Sequence, residues 1–287
     1  MDLFLQQLLN ALTLGSIYGL VALGLTLVYG VLNIPNFAHG ALYAVGAYVA
    51  YVVMVDYSGN YWLAMALAAV AVAVLAMLSE RLVFYPLRNS PPLHDKIAAI
   101  GLVMFIEAML QWHFGAEFRH MPVAFDTQVQ LGNLSMPAQR LLIIAAAFGL
   151  MAVLHLFLTR TMTGSTIVAV AQNREGASLV GIDTRRVALL TFAISGALAA
   201  VAATLFAPIN LVYPAMGHLL IMKAFVIIVL GGMGSVPGAI VGALIIGFAE
   251  SFGGFYISNE YKDVIAFAAL VVILSIKPTG LFAKRAN

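Results

Sequence analysis

The chain has 287 residues, of which 63% are hydrophobic and 9% charged; its mean hydropathy is +1.01 and its formal net charge +2. Soluble domains carry about 25% charged residues, so this sequence cannot cover a water-facing surface and reads as a polytopic membrane protein. It has no cysteine, which excludes a disulfide framework, Cys-based zinc sites and thiol catalysis.

Met1-Asp2-Leu3 carries no basic stretch, so the first apolar run is expected to be mature structure and not a cleavable signal peptide. A span needs about 20 mainly apolar residues. Segments of that kind run over 5–31, 37–55, 61–79, 97–115, 138–158, 187–207, 218–232, 237–256 and 262–276. They are apolar all round, so length and flanks identify them, not periodicity. Backbone in lipid must satisfy its own hydrogen bonds, and nothing alternates at the period of a barrel strand. The expected fold is all-α and polytopic, a single transmembrane domain over 1–287 with about eight or nine spanning helices.

Basic residues set the orientation. Arg81, Arg88 and Lys96 share one loop, Arg160, Arg174, Arg185 and Arg186 a second, and Lys277, Lys284 and Arg285 the tail. The positive-inside rule puts these on the cytoplasmic side. The loops near Asp56 and over 116–137, 208–217 and 257–261 hold few, chiefly Arg119 and Lys262 at their edges. Parity then requires 218–256 to cross twice, turning at Gly231 to Gly238, with the N-terminus outside and the C-terminus cytoplasmic. Because 218–232 is short, a re-entrant pair is the alternative.

Two helix breaks match. Gly30, Ile34, Pro35, Gly40, Ala41 and Leu42 are echoed at one constant offset by Gly232, Val236, Pro237, Gly242, Ala243 and Leu244. Such interruptions sit at membrane depth only when buried in protein or lining a cavity, and paired ones point to a transport pathway. Ordinary turns built from the same residues are the plain alternative. In the first break, Asn33, Asn36 and His39 cluster where a helix should run. They either border a wet cavity or satisfy freed backbone groups and cap the next helix; the structural role is favoured. Gly15/Gly19 and Gly238/Gly242 have the small-residue spacing of close helix packing.

Glu107, Lys223 and Glu250 lie inside apolar segments, and ionisable residues there are functional candidates because each is costly unpaired. Lys223 and Glu250 flank the glycine-rich turn at depths within about 10 Å of each other. They are read as a structural ion pair, with a proton or ion relay as the alternative; Glu107 has no evident partner. The histidines show no metal-ligand spacing, and no cofactor is expected.

Between two apolar segments lies a polar island, the loop 160–186, running through Arg174, Glu175, Gly176, Ala177 and Gly181. It reads as a water-exposed helix from Thr166 ended by Gly181, kept outside the bilayer to touch a partner. The run Gly231 to Gly238 has no following Lys-Ser/Thr, so it is not a phosphate-binding loop. No nucleophile elbow or metalloprotease motif is present, so nothing in the chain is expected to hydrolyse ATP.

Along nearly its whole length the chain resembles the membrane-permease subunits of branched-chain amino-acid (Liv-type) ABC importers. The matching pieces, in order, are Asn10 to Tyr18; Asn36-Phe37-Ala38-His39-Gly40; Glu175-Gly176-Ala177 through Gly181-Ile182; Met222-Lys223-Ala224-Phe225; Gly231 to Ala239; and Tyr261-Lys262-Asp263. The resemblance implies a bacterial inner-membrane location and a permease half that does no ATP chemistry itself. It implies as partners two ATP-binding cassette subunits, a second homologous permease and an external solute-binding protein; no nucleic acid is involved. It also implies that 160–186 carries an EAA-type docking motif, here with Gly176 in place of the usual alanine. Glycine costs a helix up to about 1 kcal/mol, so that helix is expected to be less rigid. The solute would be a branched-chain or other amino acid, with urea and short amides as alternatives in the same family and an ion-coupled secondary transporter as the alternative class.

Overall fold

A computed structural model describes residues 2–32, 34–88, 90–125, 127–131, 134–277 and 279–282. Met1, Asn33, Lys284 and Arg285, which figure in the sequence reading, lie outside the described residues. The first helical pair is α1 (Asp2–Leu32) and α2 (Ala38–Val55). Next come α3 (Tyr61–Ser79), continued by a π-helical turn (Glu80–Phe84) into α4 (Tyr85–Leu87), and then α5 (Pro92–Phe114). The middle of the chain forms α6 (Ala138–Arg160), α7 (Met162–Gln172), α8 (Arg174–Leu179) and α9 (Thr184–Phe206). The last are α10 (Gly217–Gly231), α11 (Val236–Tyr256) and α12 (Lys262–Ile276).

Among the described residues, seven helices are long and apolar enough to cross a membrane. The helices α10 and α12 have 15 residues each, about 22 Å against a hydrocarbon core of about 30 Å. A total of eight spans would need one of these short helices to cross, and nine would need both. The fold is mostly helical, but four short strands qualify the all-α expectation. Strand β1 (Arg119–His120) pairs antiparallel with β4 (Leu211–Val212), and β2 (Gln128–Leu131) with β3 (Leu134–Pro137). The β1–β4 pair ties the α5–α6 connection to the α9–α10 connection, the two loops that parity puts on one side.

The first helix is the hub. Its apolar window is 89% buried, and it packs against α11, α9, α6 and α10. Shape complementarity here depends on missing side chains: a Cβ on Gly247 of α11 would sit 2.6 Å from the Gly15 nitrogen of α1. Likewise a Cβ on Gly217 would meet the Gly40 carbonyl at 2.0 Å, so α2 and α10 cross backbone to backbone. The expected Gly238/Gly242 face packs on α10, against Gly231 and the Ile227 carbonyl. Helices α3 and α5 form the outside. Leu67, Val70, Met104, Phe105 and Trp112 are exposed, as suits contact with lipid chains or another apolar surface.

Candidate functional site

The polar island does not fold as one helix; it breaks at Asn173. Thr161 caps α7, its hydroxyl accepting from the Gly164 amide at 3.0 Å. The Asn173 side chain then starts α8, its Oδ1 accepting from the Gly176 amide at 2.8 Å. An unsatisfied first-turn amide is what such a cap supplies an acceptor for. A Cβ on Gly176 would lie only 3.2 Å from Asn173 Cγ, so glycine at the position where an alanine is usual leaves room for this cap. Gly181 ends the unit at φ +86°, with the Ile182 amide donating to the Ala177 carbonyl at 3.1 Å, a left-handed helix stop as expected. Asp183 then caps α9 through the Arg185 and Arg186 amides.

Only Ala177 of α8 is buried. Arg174 and Glu175 are exposed, and beside them Leu179 and Val180 are 87% and 77% exposed. The helix packs chiefly on α7 and α9. An apolar tip thus stands next to two exposed charged side chains on a capped unit with a small buried base.

Behind it lies a charged cluster that sequence inspection missed. Glu80, 1% exposed, opens the π-helical turn, and Arg88 donates to its Oε1 at 3.2 Å. Its other oxygen has no hydrogen-bond partner among the described residues. Arg174, Arg185 and Arg81 all act electrostatically on this carboxylate, and Arg185 stacks on the Tyr85 ring at 4.5 Å. Burial, then the neighbouring Arg174 guanidinium, hold Arg88 below the ordinary arginine range, although arginine stays charged in proteins. The first two basic loops therefore meet at one end of the bundle, joined through Glu80. An isolated glutamate ending an apolar run beside Arg81 was the available signal, but the π-helical turn hides its pairing with a residue eight positions on.

The two helix breaks also meet there. Gly30 and Gly234 approach each other and Ala171 of α7, at 3.7–3.9 Å from an added Cβ on Gly30. Together with Val236 and Pro237 they line a cavity of about 540 Å³ that α7 closes on one side. Asn36 and His39 do something else. Asn36 Oδ1 accepts from the amide of Ala38, the first residue of α2, at 3.1 Å, although the N-cap position itself is Phe37. His39 is fully buried; with Nε2 donating to the Val21 carbonyl at 3.1 Å, Nδ1 is left to accept from the Ser195 hydroxyl at 3.2 Å. Neither residue lines that cavity.

The intramembrane charges find partners. Lys223 Nζ lies 2.8 Å from both Glu250 oxygens and donates to the Tyr18 hydroxyl at 3.0 Å; Tyr18 in turn donates to Glu250 at 2.8 Å. Asp263 Oδ1 is also 2.8 Å from Nζ, an ion-pair contact without hydrogen-bond geometry. This network ties α1, α10, α11 and the first turn of α12. Glu107, for which no partner was evident, sits 2.6 Å from His218 Nε2 at the start of α10 and does not line the 540 Å³ cavity. No cluster able to hold a metal ion occurs among the described residues.

Comparison with known proteins bears directly on these features. The chain is 38% identical, over 98% of its length and 96% of the other's, to the high-affinity branched-chain amino acid transport system permease protein LivH of Escherichia coli K12. It is 35% identical, with the same coverage, to BraD of Pseudomonas aeruginosa, which carries the same description. LivM of E. coli K12 is 26% identical over 94% of this chain and 68% of its own length. Among solved structures, a chain of PsaBC from Streptococcus pneumoniae in complex with Fab superposes with a TM-score of 0.52 at 11% identity, covering 94% of this chain and 91% of that one; at that identity the likeness concerns the fold alone. Residues 7–274 match the family described as "Branched-chain amino acid transport system / permease component", and the chain belongs to that family of multi-pass membrane permeases.

Proposed function

We propose that this chain is one half of the translocation pathway of an ATP-driven importer for branched-chain or related amino acids, and that separate ATPase subunits drive it through α8. The observation that carries this reading is the capped α8 unit, whose Leu179 and Val180 are 87% and 77% exposed beside Glu175. Two adjacent apolar side chains exposed on a charged loop offer a partner a surface to cover. Movement imposed on α8 would pass to α7 and so to the paired breaks at Gly30 and Gly234, which share the 540 Å³ cavity with α7. Two ATP-binding cassette subunits, a second permease of the same family and an external binding protein complete the assembly. That LivH and LivM of one organism both resemble this chain supports the paired-permease arrangement. Basic loops meeting around Glu80 support the α8 end as cytoplasmic, with the C-terminus on the same side and the protein in a bacterial inner membrane.

The test is Glu175→Lys, which reverses an exposed charge and leaves the fold intact. ATPase co-purification and amino-acid uptake are measured in membranes of equal permease content, and both should fall. Normal values for both would sink the coupling role and bring back the ion-coupled alternative.

A further inference from the structure

Beside the Lys223–Glu250 network lie two adjacent cavities with charged side chains in their walls. The larger, about 480 Å³, is lined by Arg140 and Lys262 among others. The smaller, about 260 Å³, is lined by Tyr43, Lys223 and Asp263. They share Glu250, Lys262 and the apolar side chains of Leu14 and Phe206.

Tyr43 is the telling residue. It is 1% exposed, and its hydroxyl has no hydrogen-bond partner among the described residues. A buried hydroxyl left unpaired is destabilising, and phenylalanine would fill the same space without that penalty. The hydroxyl is left free to bond to a solute that enters the cavity. The charges are also unevenly spread. In the smaller cavity Lys223 stands 2.8 Å from two carboxylates, Glu250 and Asp263, and with Lys262 the charges there balance, whereas the larger cavity sets Arg140 and Lys262 against Glu250 alone. Asp263 Oδ1 makes no hydrogen bond there and keeps its accepting capacity. The excess of positive charge lies on the other side, at Arg140. A solute carrying an ammonium and a carboxylate on one carbon matches this polarity, and a neutral amide does not.

We propose that the two adjacent cavities together form a binding station for the zwitterionic head of an α-amino acid, its ammonium between Asp263 and the Tyr43 hydroxyl and its carboxylate toward Lys262 and Arg140. The side chain would rest on Leu14 and Phe206. This deepens the transport reading above and rests on it.

The experiment uses the permease assembled with its ATPase, partner permease and binding protein in proteoliposomes, with L-leucine as probe. ATP-dependent uptake by the wild-type complex is the reference; its absence would overturn the transport reading itself. Tyr43→Phe removes one oxygen that bonds no protein group. Uptake should fall by about tenfold or more, the equivalent of one hydrogen bond to a charged group. ATPase co-purification and the thermal midpoint should stay unchanged, or the midpoint should rise. Asp263→Asn, which keeps the shape and removes the charge, should also lower uptake. Wild-type uptake in Tyr43→Phe, or a loss of uptake matched by a fall in the thermal midpoint, overturns the station and leaves the transport reading standing.

Discussion

Lys223 holds two carboxylates at 2.8 Å, and this makes the consequences of breaking the network unequal. Lys223 and Glu250 are 7% and 4% exposed, so neither charge can turn to water. Replacing Lys223 with methionine leaves Glu250 and Asp263 close together with no cation between them. Breaking a buried pair costs about 3–5 kcal/mol, and the added repulsion puts Lys223→Met at the upper end. Glu250→Gln is milder. Lys223 keeps Asp263, and the amide can still accept from Tyr18, so the loss is nearer about 1–3 kcal/mol, as for one charged hydrogen bond. With roughly 2–4 °C per kcal/mol for chains somewhat shorter than this, the thermal midpoint should drop by about 10 °C or more for Lys223→Met and by clearly less for Glu250→Gln. The double variant should recover much of the lysine loss, because the remaining Asp263 side chain is 36% exposed and can turn to solvent. The assay is thermal unfolding of the detergent-purified permease. Equal losses for the two single variants, or no recovery in the double, would refute the three-charge account.

Glu80→Gln removes the one acidic group from a cluster of four arginines, so folded yield and ATPase association should both decline; unchanged values would mean that the cluster is held by packing alone. Gly217→Ala puts a Cβ 2.0 Å from the Gly40 carbonyl and should lower stability by about 2 kcal/mol or more, as overpacking does. Gly149→Ala, with open space around its Cβ, should be neutral or stabilising by up to about 1 kcal/mol; thermal midpoints of the two variants compare them, and similar losses would contradict the close α2–α10 crossing. Reporter fusions at the C-terminus and after Ser58 should read inside and outside respectively. An external C-terminus would mean that 218–256 crosses only once.

The helices were legible because hydrocarbon tolerates only apolar, self-bonded backbone, and that constraint acts residue by residue along the chain. Expected and observed limits for α2, α3, α10, α11 and α12 agree within a residue or two. The helix stop at Gly181 was legible for the same local reason: a φ of +86° is open to glycine and resisted by other residues. The break at Asn173 was less visible, since an asparagine cap and an asparagine within a helix look alike until its side chain reaches a backbone amide. Pairings between helices were not written locally at all. Tyr18 and Asp263 join Lys223 and Glu250, Glu107 finds His218, and His39 finds Val21 and Ser195, each through the way α1, α2, α5, α9, α10, α11 and α12 pack. Composition shows that a buried charge must have a partner, because leaving it unpaired in a low-dielectric interior is too costly. Which partner it has depends on the rotation and depth of each helix, and those are set by the sum of many glycine contacts and apolar packings that only the folded chain brings together.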